Sequence, residues 1–136
     1  MASTMQRIGI TDVKITYFRP SANGREIWGK LVPFGYQSFT IGDTPGTPGP
    51  RIAPWRTGAN AAPVLEITDD LQINNTNIKK GKYAMFIVPL ENGDAEMVIS
   101  SIWDQLGSFF YKEEFELPCP QCFLLLYPHF NDRTSF

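Results

Sequence analysis

Arginine recurs in this chain inside segments otherwise built for turning: Arg19-Pro20-Ser21-Ala22-Asn23-Gly24-Arg25 early, and Trp55-Arg56-Thr57-Gly58-Ala59-Asn60 in the middle. Loops use Gly, Pro, Ser and Asn for backbone reasons, so guanidinium groups and an indole set among them describe a shaped polar surface. A guanidinium holds a carboxylate or phosphate by forked hydrogen bonds, and Trp55 would add an apolar wall or a cation-π partner. Brought together, Arg19, Arg25 and Arg56 would hold a small anion, with Ser21, Asn60 and Tyr83 as further candidate contacts. A second reading is structural: arginines beside turns bond loop carbonyls and carboxylates such as Glu26 or Asp70, and are then braces.

Other chemistry is thinner. Cys119 and Cys122 have the spacing of a shared zinc or a small redox ring. With His129, the sole histidine, they fall short of a tetrahedral ligand set unless Asp132 or a partner chain completes it. A redox motif would also need a strand before it and a helix after, which Phe123-Leu124-Leu125-Leu126-Tyr127-Pro128 does not promise. Any Ser-His-Asp or Cys-His mechanism would have to use His129, which lies in an apolar tail. Asp69-Asp70 and Glu113-Glu114 make poor acid/base pairs, because neighbours on a strand point to opposite faces and turns collect Asp anyway. The glycines between 42 and 49 lack the Gly-Lys-Ser/Thr ending of a phosphate loop. No metal or cofactor is expected, and the catalytic residues of any reaction are left unassigned.

Charged residues make up 19% of the chain and the formal net charge is −2, so no basic field exists for a polyanion and nucleic acid is not an expected partner. No apolar run approaches a membrane span, and the first residues lack the apolar core of a secretory signal. A chain of 136 residues makes one domain, able to bury about two thirds of its unfolded surface. Aromatic, Gly and Pro content suits short strands joined by tight turns.

The elements that must carry these loops follow from periodicity. Residues 8–18 predict a strand in which Val13, Ile15 and Tyr17 alternate with Lys14, Thr16 and Phe18, ended by Pro20 and the Asn23-Gly24 turn. Residues 26–35 read as a loop with one helical turn, since Ile27, Trp28, Leu31 and Val32 have helical spacing but Gly29 and Pro33 confine it. Residues 36–54 read as a Pro/Gly-rich inserted loop. Strands are expected at 64–68, with Leu65 and Ile67 on one face, and at 71–73, ended by Asn74-Asn75, as antiparallel neighbours. Residues 83–88 are apolar on both faces and predict the innermost strand, which turns through Glu91-Asn92-Gly93-Asp94 into a partner at 96–101. Residues 102–111 are aromatic and broken by Gly107, and 112–116 reads as a solvated acidic patch.

The run from Val13 through Arg19-Pro20-Ser21, Gly24-Arg25, Gly29 and Leu31-Val32-Pro33-Phe34-Gly35, then Trp55 to Asn60, then Lys80-Gly-Lys-Tyr-Ala-Met-Phe-Ile-Val-Pro89, resembles the bacterial family known as domain of unknown function 2911. The likeness spans residues 8–111. It implies an all-β domain, exported or periplasmic in Bacteroidetes-like bacteria, and supplies no reaction. Three departures stand out: the inserted 36–54 loop, Gln105-Leu106-Gly107-Ser108-Phe109 where the family has a Gln-Trp-Gly-Ala-Tyr pattern, and a cysteine-proline tail where further strands are expected. Residues 117–136 are therefore expected to be a non-native or disordered tail, as truncation or a shifted reading frame would produce. An intact family continuation in another frame of the source locus is the test.

The expected architecture is a single antiparallel β-sandwich or jelly-roll-like domain over 8–116, with short helical turns. Its expected role is a noncatalytic binding module for a small anionic ligand, glycan or protein partner. One alternative is a hydrolase- or lyase-like enzyme, in which the arginines stabilise developing negative charge and Tyr83, Ser21 or His129 moves a proton. Another is an assembly subunit that oligomerises through an open sheet edge. The expected address is exported or periplasmic by resemblance, and cytoplasmic if the chain is taken as written.

Overall fold

The computed structural model describes residues 1–39, 51–117 and 123–125. Cys119, Cys122, His129 and most of the predicted tail and inserted loop lie outside them. The described regular structure is nearly all strand: β1 (Ala2–Ile8), β2 (Thr11–Tyr17), β3 (Gln37–Phe39), β4 (Arg51–Ala53), β5 (Val64–Ile67), β6 (Leu71–Ile73), β7 (Thr76–Ile78), β8 (Gly81–Pro89), β9 (Asp94–Ser100) and β10 (Phe123–Leu125). The main sheet is antiparallel and six-stranded, in the order β1-β2-β5-β8-β9-β10. It is a meander with two excursions, the β3-β4 ribbon between β2 and β5 and the β6-β7 ribbon between β5 and β8. The all-β expectation holds.

β8 lies inside the sheet because both of its faces are apolar. Ala84, Phe86 and Val88 pack on one side with Ala53, Ala62, Val98 and Tyr111. Tyr83 packs on the other with Leu65, Ile67, Ile78 and Ile99, and Met85 joins that layer. This two-residue alternation puts a separate core on each face of the sheet. Phe86 and Ile99 are fully buried, and each such side chain contributes roughly 1.5–3 kcal/mol. The hairpin from β8 to β9 closes as its sequence predicts: Gly93 has φ +90, and the Leu90 amide donates to the Asp94 carbonyl at 2.9 Å.

Several expectations need correction. The predicted 8–18 strand is the second half of a hairpin, whose first strand, β1, pairs from Ala2↔Tyr17 to Ile8↔Thr11. β1 is almost wholly exposed, so it carries no alternation to read; pairing makes it, and Arg7 adds a forked ion pair to Asp12 at 2.6 and 2.8 Å. Residues 64–67 and 71–73 are not neighbours. β5 pairs with β2 and β8, while β6 pairs with β7. Asn74 and Asn75, at φ 45 and 66, form the two-residue turn that closes β6 locally on β7, while Leu65 and Ile67 share a core with Ile78, Tyr83 and Ile99.

The helical turn expected within 26–35 is replaced by a wide turn, in which the Val32 amide donates to the Ile27 carbonyl at 2.8 Å and the Gly29 amide to the Val32 carbonyl at 2.9 Å. Gly29 at φ +75 is incompatible with a helix, and a methyl group there would stand 2.8 Å from the Phe34 ring. Among the described residues the helical element is a single 3-10 turn at Glu113–Phe115. Nor is the 112–116 segment fully solvated: Glu116 is partly buried, and its Oε1 atom is buried without a hydrogen-bond partner.

Candidate functional site

β5 ends opposite Ala84, so the edge of β8 beyond that point is open to other partners. Loops fill it. The Met85 amide donates to the Pro63 carbonyl at 2.9 Å, Trp55 and Ile87 exchange amide-to-carbonyl bonds at 2.9 and 3.0 Å, and the Gly35 amide donates to the Pro89 carbonyl at 2.7 Å. The Trp55–Asn60 segment and the turn that follows the first arginine segment are thus docked side by side on one strand. Two further contacts draw them together. The Trp28 and Trp55 rings meet edge to face at 5.5 Å, and Gly58 lies against the carbonyl of Phe18, the residue before Arg19.

A cavity of about 510 Å³ opens between them, within the size range of small-molecule sites. Arg25 and Arg56 supply its charge, and Ser21, Gln37 and Ser108 its neutral polar groups. Ile27, Leu31, Val32, Trp55 and Phe109 form apolar wall. Among the described residues, no acidic side chain lines it. Among the described residues the ion pairs join Arg7 to Asp12, Lys79 to Asp70, Lys82 to Glu66 and Lys112 to Glu114, none of which involves either cavity arginine.

Each arginine is held on one side and open on the other. Arg25 donates from Nε to the Ala22 carbonyl at 3.0 Å and from Nη2 to the Ser21 carbonyl at 2.9 Å. Arg56 donates from Nε to the Gly58 carbonyl at 3.3 Å, and its guanidinium lies over Gly107, where an added methyl group would stand 2.9 Å from Cδ and 3.1 Å from Nη1. The backbone beneath is strained: Thr57 and Asn60 have φ 55 and 60. A β-branched residue in the left-handed region is costly, and such strain concentrates at binding and catalytic sites.

Of the residues singled out in the sequence, the cavity gathers Ser21, Arg25, Trp55 and Arg56. Arg19 is exposed and lies outside the lining, as does Asn60. Tyr83 belongs to the core that packs on the β6-β7 ribbon, where its hydroxyl donates to the Lys79 carbonyl at 2.6 Å. Burial pushes that phenol up from its ordinary value. The described residues contain no cluster of metal-ligating side chains, and no helix among them is long and apolar enough to cross a membrane. Sequence reasoning had Trp55 as an apolar wall but missed the rest of that wall, Ile27, Leu31, Val32 and Phe109, and with it the third side of the cavity. Ser108 and Phe109 reach it because the Ser108 hydroxyl donates to the Pro54 carbonyl at 2.7 Å and Arg51 Nη1 to the Phe109 carbonyl at 2.9 Å.

Compared with known families, residues 1–118 match the family described as Protein of unknown function (DUF2911). The chain belongs to this family. No curated protein and no solved structure matches it. DUF2911 membership brings no reaction with it, so the chemistry must be argued from the cavity itself.

Proposed function

We propose that this DUF2911 protein is a noncatalytic module that binds a small anionic ligand between its two arginine segments. The observation that carries the reading is the charge of the cavity: two guanidiniums and no carboxylate among the described lining residues. An uncompensated pair of cations in a partly apolar hollow favours an anion, and forked N–H groups suit oxygen acceptors. Backbone carbonyls take only part of each guanidinium, so bracing and binding coexist: the carbonyl bonds fix the orientation and the remaining N–H groups meet the ligand. Binding is favoured over catalysis because the described lining residues are arginines and neutral groups rather than side chains that exchange protons near neutrality.

The test is a thermal-shift series at constant ionic strength with inorganic phosphate, sulfate and acetate against chloride. A ligand that binds only the native state raises the melting temperature with concentration. Arg25→Ala and Arg56→Ala should each abolish the shift. An unchanged midpoint with every anion would remove the proposal.

A further inference from the structure

We infer that the ligand is an oxyanion head, carboxylate or phosphate, carried on an apolar body that bears neither an ammonium group nor a row of hydroxyls. This rests on the anion-binding reading above and narrows it to a class. Hydrogen-bonding capacity in the cavity is only partly used. Arg25 has spent Nε and one N–H of Nη2 on backbone carbonyls, and Arg56 has spent Nε; the rest of both forks has no acceptor among the described residues. Gln37, also in the lining, has a buried amide nitrogen with no hydrogen-bond partner. The two serine hydroxyls of the lining have already donated their hydrogens, Ser21 to Asn23 Oδ1 at 2.6 Å and Ser108 to the Pro54 carbonyl at 2.7 Å. What the side chains leave over is chiefly donors, and the described lining has no carboxylate to accept.

A matching ligand offers acceptors and few donors. A sugar fails this condition, because each hydroxyl brings a hydrogen that finds few acceptors here, and burying an unsatisfied donor is costly. An amino acid fails it as well: its ammonium would enter a cavity with two guanidiniums and no acid among the described lining residues. The remaining surface says what the rest of the ligand is. Ile27, Leu31, Val32, Trp55 and Phe109 converge from three separate segments, and Leu31 is still 54% exposed, so an apolar body would cover surface that the fold leaves wet.

The experiment titrates the full chain at fixed ionic strength with phenylacetate, phenyl phosphate, acetate, inorganic phosphate, glucose 6-phosphate and phenylalanine, reading affinity by calorimetry. Phenylacetate or phenyl phosphate is expected to bind at least about tenfold more tightly than the other four, the gain expected of a buried ring; whichever of the two leads identifies the head. Leu31→Gln, at a half-exposed position on the apolar wall, should weaken the aromatic anion several-fold more than it weakens inorganic phosphate. Glucose 6-phosphate or phenylalanine binding as tightly as the aromatic anions, or Leu31→Gln weakening them no more than inorganic phosphate, would overturn the inference while leaving an anion site in place. Failure of all six compounds to bind would overturn the anion site too.

Discussion

A methyl group on Gly58 would stand 3.0 Å from the carbonyl oxygen of Phe18. Phe18 leads into the first arginine segment and Gly58 sits inside the second, so this contact sets the distance between two parts of the chain that sequence separates by about forty residues. Gly58 also has φ +151, a conformation that side chains rarely adopt. Gly58→Ala is expected to cost about 1–3 kcal/mol, read as a lower melting temperature, together with weaker anion binding. A melting temperature equal to that of the parent would mean that the segments do not rely on this approach.

Gly107 is expected to act through Arg56. Adding a methyl group there puts it against the arginine side chain and requires a residue other than glycine at φ +60. Gly107→Ala should therefore weaken anion binding by about tenfold or more through displacement of the guanidinium, since losing a hydrogen bond to a charged group costs about 1.5–3 kcal/mol. Combined with Arg56→Ala, it should add little further loss of affinity, because residues in contact are not additive. Full additivity in that double-mutant cycle would separate the two positions.

Tyr83→Phe distinguishes a core tyrosine from a ligand contact. Its hydroxyl bonds the Lys79 carbonyl at 2.6 Å, so removing it is expected to cost about 1 kcal/mol in urea denaturation. Anion affinity should stay at the parent value. A change in affinity without a change in stability would return Tyr83 to the site.

Glu116 gives the fold a pH dependence of definite sign. Burial pushes its carboxyl above the ordinary value, and its Oε1 has no hydrogen-bond partner. Between the ordinary and the raised pKa the native state keeps a proton that the unfolded chain has released. Stability therefore falls as pH rises through that window, and is lower above it. Glu116→Gln should remove that slope and raise the urea midpoint near neutral pH. Denaturation curves from about pH 4 to pH 7 that keep the same slope in the variant would show another group to be responsible.

What could be read from the sequence was whatever one strand or turn decides alone. Two-faced apolarity located β8, alternation placed Leu65 and Ile67 inside, and Asn-Gly chemistry located the turn at Asn23-Gly24, whose φ values are 50 and 70. The odd placement of charge in turns raised the idea that Arg19, Arg25 and Arg56 gather; Arg25 and Arg56 line one cavity and Arg19 does not. What depends on distant partners was not. β1 exposes both faces and exists through β2; β5 takes its neighbours from across the chain. The third wall arrives through bonds such as Ser108 to Pro54 and Arg51 to Phe109, which no local pattern announces. Arg19 looked equivalent to Arg25 because spacing does not say which way a turn aims its side chains.

β3 and β4 pair from Gln37↔Ala53 to Phe39↔Arg51, so the polypeptide leaves toward residue 40 and returns from residue 50 along two rails clamped together. One rail begins with Gln37, on the cavity wall, and the other with Arg51, which steadies Phe109. Because the two rails are bonded to each other, the ribbon ties the position of Gln37 to that of Arg51, and a change in either rail is felt on two sides of the chamber.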